Sequence, residues 1–160
     1  YQEEKGAIQG RKIAWIGDGC NVCQTYMQAA TIFDFELSIA TPVGYEPSNL
    51  FIQKYQKNVN LFNNPMDACK DADIVVTDVW TSMGQESEKK QREAAFKGFQ
   101  VNQELMSRAK KDAVFMHCLP AYRGVEVSSE VIDGNQSVVW SEAENRLHVQ
   151  KSLLLYLIAG

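Results

Sequence analysis

The sequence predicts one α/β domain over residues 1–160, with a doubly wound, mainly parallel β-sheet and helices on both faces, a Rossmann-like arrangement. Short apolar runs alternate with segments of helical periodicity along the whole chain. The apolar runs are mostly continuous, as is typical of parallel strands that helices bury on both sides. A length of 160 residues is sufficient for one domain with a sizeable hydrophobic core.

Six apolar runs are predicted to form the strands of this sheet. Several of them stop at a turn residue, as the first does at Gly17 and the second before Pro42. The fifth runs out towards Pro120, which cannot donate to a strand ladder. The predicted strands are 12–16, 36–40, 59–62, 74–78, 114–117 and 137–140.

Helices are predicted between these strands. Apolar side chains from Val22 to Phe33 recur at helical spacing. Ser48 is suited to cap a helix N-terminus, Pro65 is tolerated in a first helical turn, and Asn102 opens a further helix. The predicted helices therefore cover 21–33, short segments after 48, at 65 and after 102, and the longer segments 88–99 and 142–158.

Composition and charge exclude several function classes. Sixteen basic and twenty acidic residues give a net charge of −4 without a Lys/Arg-rich block, so we expect no nucleic-acid partner. The longest apolar run, 153–159, is far below the ~18 residues of a membrane span, so we expect a soluble protein and no membrane partner. Four cysteines favour a reducing, cytoplasmic setting over a disulfide scaffold. The charged segment 86–97 and His148 are interpreted as solvated surface.

Two local motifs resemble parts of cofactor-binding or metal-binding sites, but the rest of the sequence does not support either interpretation. Gly17-Asp18-Gly19 lies at a strand-to-helix turn, but Val22 replaces the third glycine of a dinucleotide fingerprint and no acid ends the second strand. We therefore expect no nicotinamide cofactor, and a tight turn explains Gly17. Cys20 and Cys23 form a lone C-x2-C pair without further ligands, so we expect no metal.

The candidate chemistry lies at predicted strand ends and helix starts. Asp78 ends a buried strand, and it either caps local backbone amides or holds a cationic amine as the amine loses its proton. His117 and Cys118 end another strand, where Cys118 is either an inert buried thiol or a functional one. Asn21 at a helix N-terminus could hold a carboxylate. Arg146 is predicted in the first turn of the last helix, an unusual place for a cation unless it serves an anionic ligand.

Taken together, four segments carry a family resemblance: 15–21, 78–84, 117–120 and 142–146. With these motifs the chain resembles the C-terminal, ornithine-binding domain of the ornithine carbamoyltransferases over essentially all 160 residues. The combination of Ser82-Met83-Gly84 with His-Cys-Leu-Pro is highly specific. One departure is Cys20, where the family usually has a second asparagine.

The resemblance implies transfer of a carbamoyl group from carbamoyl phosphate to the δ-amine of L-ornithine, giving citrulline and phosphate without a cofactor. It assigns ornithine binding to Asn21, Asp78, Ser82 and Met83, with the Ser82-Met83 loop closing over the substrate. It places Cys118 beside the reacting amine as proton acceptor or orienter, with His117 and Asp78 in the same catalytic set. Cys118 and Leu119 would lie along the carbamoyl group, and Arg146 would reach carbamoyl phosphate.

The resemblance also implies what lies outside this chain. The family's N-terminal carbamoyl-phosphate domain has no counterpart here, and the start at Tyr1 without methionine suggests a cut inside a longer protein. We therefore expect the isolated domain to be inactive. The full-length protein is expected to be a homo-oligomer, a trimer or a multiple of trimers.

Three alternatives stay open. The first is a carbamoyltransferase for putrescine or an acylated ornithine, against which Ser82-Met83-Gly84 argues. The second is a Rossmann-like nucleotide-binding module, against which the missing third glycine argues. The third is a non-catalytic regulatory domain, which the absence of the phosphate-binding half supports.

Overall fold

The structure, a computed structural model, describes residues 1–81 and 86–159. It contains five strands: β1 (Lys12–Ile16), β2 (Glu36–Ala40), β3 (Val59–Phe62), β4 (Ile74–Thr77) and β5 (Val114–His117). The helices are α1 (Gln2–Lys5), α2 (Asn21–Phe33), α3 (Asn49–Tyr55), α4 (Pro65–Ala68), α5 (Lys89–Ala95), α6 (Gln103–Met106), α7 (Ser129–Ile132) and α8 (Val139–Ala159). A single 3₁₀ turn, Glu86–Glu88, precedes α5.

The strands form one parallel sheet in the order β3-β2-β1-β4-β5. The chain therefore builds outward from β1 to β3, then returns to β4 on the other side of β1. Ile13 pairs with Leu37 of β2 on one side and with Ile74 of β4 on the other. This topology confirms the predicted doubly wound α/β fold.

Both faces of the sheet are buried against helices. Successive side chains of β1 point to opposite faces, so Ile13 and Trp15 join one core cluster while Ala14 and Ile16 join the other. The first cluster includes Met27 of α2. The four apolar side chains of β1 are essentially inaccessible to solvent. This burial on both faces explains why the strand is a continuous apolar run in the sequence.

The sixth predicted strand, 137–140, is wrong. Ser137 forms only an isolated parallel bridge with Phe115 of β5, and α8 begins at Val139. Two backbone hydrogen bonds form at the outer edge of β5 instead. The N–H of Phe115 donates to the carbonyl of Gln136, and the carbonyl of Phe115 accepts from the N–H of Val138. The last helix is consequently three residues longer at its start than predicted.

The helix predicted over 88–99 is also too long, because α5 ends at Ala95. The caps were predicted more accurately: the side chain of Asn102 accepts from the backbone N–H of Leu105 over 2.9 Å at the start of α6. Ser48 precedes α3 as expected, but its side chain makes no capping hydrogen bond.

The last helix carries many solvent-exposed apolar side chains. Leu153, Leu154, Leu157 and Ile158 are all more than half exposed, and apolar surfaces of this kind commonly mark contacts with another domain or protein. In the described ranges, no helix is both long and apolar enough to cross a membrane.

Candidate active site

The candidate site lies where the chain reverses direction across the sheet, between β1 and β4. The neighbouring strands β1, β4 and β5 end at Ile16, Thr77 and His117, all at the same edge. In open parallel sheets, the crevice outside the carboxyl ends of the strands at such a switch point is where ligands bind. Asp78 and Cys118 follow β4 and β5 directly, so the fold brings these two side chains together.

The carboxylate of Asp78 is the centre of this crevice. The thiol of Cys118 donates to its Oδ1 with an S···O distance of 3.2 Å, and the thiol of Cys20 lies 3.9 Å from Oδ2. The backbone N–H of Val79 also donates to Oδ1, over 2.7 Å. Asp78 therefore caps a local amide, as one of the two sequence-based interpretations predicts, and it also contacts Cys118. Binding of a cationic amine by Asp78 stays a prediction.

Both thiols beside Asp78 are held in the protonated form. Burial, followed by the negative charge of Asp78 and the hydrogen bond to it, raises the pKa of Cys118 to about 12. Burial also raises the pKa of Cys20. A thiolate next to this carboxylate would be poorly solvated and repelled. The thiol of Cys118 is therefore suited to orient a group near Asp78, and a free thiolate nucleophile is disfavoured at neutral pH.

His117 lies behind this pair. Its side chain is fully buried, its Nε2 is 3.2 Å from Oε1 of Glu126, and its Nδ1 accepts from the backbone N–H of Leu119 over 3.0 Å. Because Nδ1 accepts, the neutral ring is assigned its proton on Nε2, where it donates to Glu126. Both ring nitrogens are thus engaged by the protein. These contacts favour a positioning role, and a direct catalytic role for His117 stays a prediction.

The backbone after Cys118 is fixed in an unusual conformation. Leu119 has a φ of 53°, in the left-handed region that residues other than glycine rarely adopt. Such conformations cost roughly 1–3 kcal/mol and persist when the surroundings impose them. Here the ring of His117 accepts from the N–H of Leu119, and the carboxylate of Glu126 accepts from that of Tyr122 over 2.6 Å. The His117–Glu126 pair therefore shapes the loop that leaves the strand.

A buried ion pair lies in the turn that follows β1, the strand next to β4. Arg92 of α5 donates to Asp18 over 2.8 Å, with 6% and 11% of the two side chains exposed, and its guanidinium stacks 4.9 Å from the ring of Tyr45. Burial raises the pKa of Asp18; the charge of Arg92 opposes that shift and the charge of Asp78 adds to it. The interpretation of the segment 86–97 as solvated surface is therefore wrong for Arg92.

The turn between β1 and α2 requires glycine for steric reasons. Gly17 has a φ of 133°, and a Cβ at Gly19 would lie 2.2 Å from the backbone nitrogen of Pro47. These constraints support the tight-turn interpretation of the Gly-Asp-Gly motif. Cys23 of the C-x2-C pair is buried in the core, as expected of a packed thiol.

The remaining predicted site residues are less closely gathered. Asn21 is the first residue of α2 and is exposed, directly after Cys20. The placement of Arg146 in the first turn of the last helix is wrong: α8 begins at Val139, which puts Arg146 about two turns further on. The dipole argument for an anionic ligand therefore no longer applies. Its side chain is exposed, and among the described residues no carboxylate pairs with it. Ser82 and Met83 lie outside the described residues.

Within the described ranges, one group could offer three ligands to a metal ion. The potential ligand atoms of Asp78, His117 and Cys118 lie within 4.8 Å of one another. Both nitrogens of His117 are already hydrogen-bonded, however, one to Glu126 and the other to the backbone N–H of Leu119. The contacts therefore favour a hydrogen-bonded network over a metal centre.

Sequence reasoning missed three charged residues of this region. Arg92 resembles its solvated neighbours in the sequence, and Glu126 is a single acid in a loop with no signal of its own. Glu142 accepts a hydrogen bond from the backbone N–H of His117 over 2.9 Å. Its position in the first turn of a helix was a signal, because acids are favoured there.

Fold and site together define a Rossmann-like α/β domain with an acidic, thiol-containing ligand crevice at the switch point of its sheet. A family model described as "Aspartate/ornithine carbamoyltransferase, Asp/Orn binding domain" matches residues 9–157. The chain therefore belongs to the aspartate/ornithine carbamoyltransferase family, which confirms the resemblance noted in the sequence.

Individual relatives support this assignment. The chain is 62% identical over 158 residues to an ornithine carbamoyltransferase of Ruthia magnifica, covering 99% of this chain and 53% of that protein. It is 61% identical over 160 residues to one from Nitrosococcus oceani, covering 100% of this chain and 53% of that protein. The crystal structure of ornithine carbamoyltransferase from Burkholderia thailandensis matches with a TM-score of 0.89 and 47% identity, covering 99% of this chain and 51% of that one. The chain thus spans about half the length of these relatives.

Proposed function

We propose that this chain forms the ornithine-binding half of an ornithine carbamoyltransferase. The whole enzyme would transfer the carbamoyl group of carbamoyl phosphate to the δ-amine of L-ornithine, giving citrulline and phosphate. The observation that carries the proposal is the contact of 3.2 Å between Asp78 and Cys118 at the switch point of the sheet. The names of the relatives above, which cover this chain almost completely, support the choice of substrate.

The crevice suits a cationic amine. A lysine-like amine has a pKa of about 10.4, so it arrives protonated and must lose that proton before it attacks a carbonyl carbon. The carboxylate of Asp78 attracts the ammonium group and then accepts a hydrogen bond from the neutral amine. Withdrawal of the amine from water lowers its pKa and assists the loss of the proton.

The reaction requires that the amine and the carbamoyl carbon meet in one geometry. The N–C bond forms, the bond from the carbamoyl carbon to the phosphate oxygen breaks, and the departing phosphate takes the proton that the amine releases. The protonated thiol of Cys118 orients the reacting groups beside Asp78, while Leu119 lies along the carbamoyl group. Asn21, with Ser82 and Met83, completes the ornithine site.

Carbamoyl phosphate is a dianion and needs several converging donors. On the described part of this chain, Arg146 is the predicted residue for it, and its exposed side chain is free of carboxylate partners there. The other donors belong, in this proposal, to a carbamoyl-phosphate domain that this chain does not contain. The isolated chain is therefore inactive, and the full-length enzyme is a trimer or a multiple of trimers. The four free cysteines support a reducing, cytoplasmic setting.

The test compares Asp78→Asn with Asp112→Asn in an enzyme that joins this chain to a carbamoyl-phosphate domain. Asp112 is an exposed carboxylate away from the crevice, so its variant controls for the loss of one negative charge. Citrulline formation should fall by about 10²- to 10⁴-fold in Asp78→Asn, the range typical of a lost acid–base partner, and change little in Asp112→Asn. Near wild-type turnover of the folded Asp78→Asn enzyme would refute the proposal.

A further inference from the structure

The outer edge of β5 has a backbone donor that no strand satisfies. Phe115 donates to Gln136 over 2.7 Å and accepts from Val138 over 3.0 Å at this edge. Alternate residues of a strand direct their N–H groups to the same edge, so the next outward donor is the N–H of His117. By this point the neighbouring segment has turned into α8. The carboxylate of Glu142 takes the place of a strand carbonyl and accepts from His117 over 2.9 Å.

Glu142 is therefore a side-chain acceptor at the strand end that presents Cys118. Its carboxylate is partly buried. Burial raises the pKa of its carboxyl group, the hydrogen bond from the backbone N–H of His117 opposes this rise, and the charge of Asp78 adds to it. Hydrogen bonds to a charged acceptor are about twice as strong as neutral ones, which makes this a firm attachment for one backbone group.

The same helix carries Arg146 four residues further on. Residues four apart lie on one face of a helix, so α8 presents Glu142 and Arg146 along a common line. Glu142 contacts the strand end of Cys118, and Arg146 is the residue predicted to meet carbamoyl phosphate. One rigid helix thus connects the two halves of the proposed reaction site.

We propose that Glu142 is a positioning residue: its hydrogen bond to the backbone of His117 ties the strand end that presents Cys118 to the helix that carries Arg146. This inference rests on the proposed function for its effect on the reaction, although the contact itself does not. Without the acceptor, the N–H of His117 loses its partner and the strand end can shift. Such a shift changes the 3.2 Å contact between Cys118 and Asp78.

The first experiment measures the contact in the 160-residue chain. Amide hydrogen exchange of His117 is followed by NMR in the wild type, Glu142→Ala and Glu142→Gln. The alanine variant should lower the protection of this amide by about tenfold to a hundredfold, the value of a hydrogen bond to a charged group. The glutamine variant retains an oxygen acceptor and should keep most of the protection. Glu144→Ala is the matched control, since Glu144 is an exposed acid of the same helix and lies 3.6 Å from the exposed His148. Unchanged protection in Glu142→Ala would overturn the proposal.

The second experiment measures the consequence for the reaction in the enzyme that includes the carbamoyl-phosphate domain. Glu142→Ala should lower kcat by roughly 10²-fold, the effect of about 1 Å of misplacement, while the KM for ornithine stays near the wild-type value. Glu142→Gln should restore most of kcat, which a role of the charge alone would not predict. Lost protection with unchanged kcat would mean that the contact is purely structural, and it would overturn the proposal.

The experiments also distinguish a variant that fails to fold from a failure of the proposed function. If Glu142→Ala does not fold, Glu142→Asp replaces it, because the shorter side chain keeps the charge but withdraws the acceptor from His117. If the wild-type enzyme does not carbamoylate ornithine, the proposed function fails. The exchange experiment then still decides whether Glu142 holds the strand end.

Discussion

Replacing Arg92 by leucine should destabilise the chain by about 3–5 kcal/mol, the cost of breaking a buried ion pair from one side. The side chains of Arg92 and Asp18 are 6% and 11% exposed and lie 2.8 Å apart, so leucine leaves the carboxylate of Asp18 buried without its cation. The contact of the guanidinium with the ring of Tyr45 is lost as well. Leucine retains apolar contact with Phe96, so packing compensates only part of the loss.

The stability lost in Arg92→Leu should depend on pH in a defined direction. The folded-state pKa of Asp18 is already raised by burial, and the variant removes the charge that opposes this shift. A raised carboxyl pKa means that the folded state binds the proton more tightly than the unfolded state does. The stability that this group contributes is therefore present at low pH and is lost as the pH rises through the folded pKa. The deficit of Arg92→Leu should be largest at pH 7 and should shrink on acidification.

Urea unfolding at several pH values measures this effect. Arg123→Leu is the matched control, because the pair of Arg123 with Asp133 is about half exposed and its loss should change stability little. Asp18→Asn combined with Arg92→Leu should recover much of the loss, since neither buried charge remains unpaired. If Arg92→Leu costs no more than about 1 kcal/mol, as an exposed pair would, the buried-pair argument is refuted.

Two further predictions concern the reaction. In the enzyme that includes the carbamoyl-phosphate domain, Cys118→Ser and Cys118→Ala should both lower kcat and change its pH profile. The reason is that the thiol beside Asp78, with a pKa of about 12, is altered or removed. A wild-type rate and pH profile in both variants would mean that Cys118 is only a structural thiol. The isolated 160-residue chain, given both substrates, should form no citrulline at a measurable rate, because donors for the carbamoyl phosphate dianion are missing; turnover near that of the two-domain enzyme would contradict this.

The strands were predictable because their environment is uniform. A parallel strand buried on both faces reads as a continuous apolar run, and β1 and β5 have the predicted bounds. The segment 137–140 has the same local character, with β-branched and aromatic residues. Only Val139 and Trp140 are helical, because the single bridge at Ser137 and the side chain of Glu142 already satisfy the edge of β5. The hydrophobic pattern of this segment alone does not show whether it extends the sheet or begins a helix.

The candidate site was predictable to the extent that it follows strand ends. Asp78 and Cys118 end strands that proved to be neighbours, so their contact follows from parallel pairing. The partners of Asp18 and His117 were not predictable. Arg92 meets Asp18 across 74 residues of sequence, and Glu126 reaches His117 from a loop without periodicity. Such polar pairs depend on the packed fold, which local periodicity does not encode.

The central claim, that this domain recognises ornithine through Asp78, is tested most directly by calorimetric titration of the 160-residue chain. L-ornithine, putrescine and N-acetyl-L-ornithine are titrated in turn into the wild type, Asp78→Asn and the control Asp112→Asn. The account predicts that L-ornithine binds more tightly than the other two amines, and that Asp78→Asn alone abolishes this binding. Equal binding of L-ornithine to the wild type and Asp78→Asn, or a preference for one of the other amines, would contradict it.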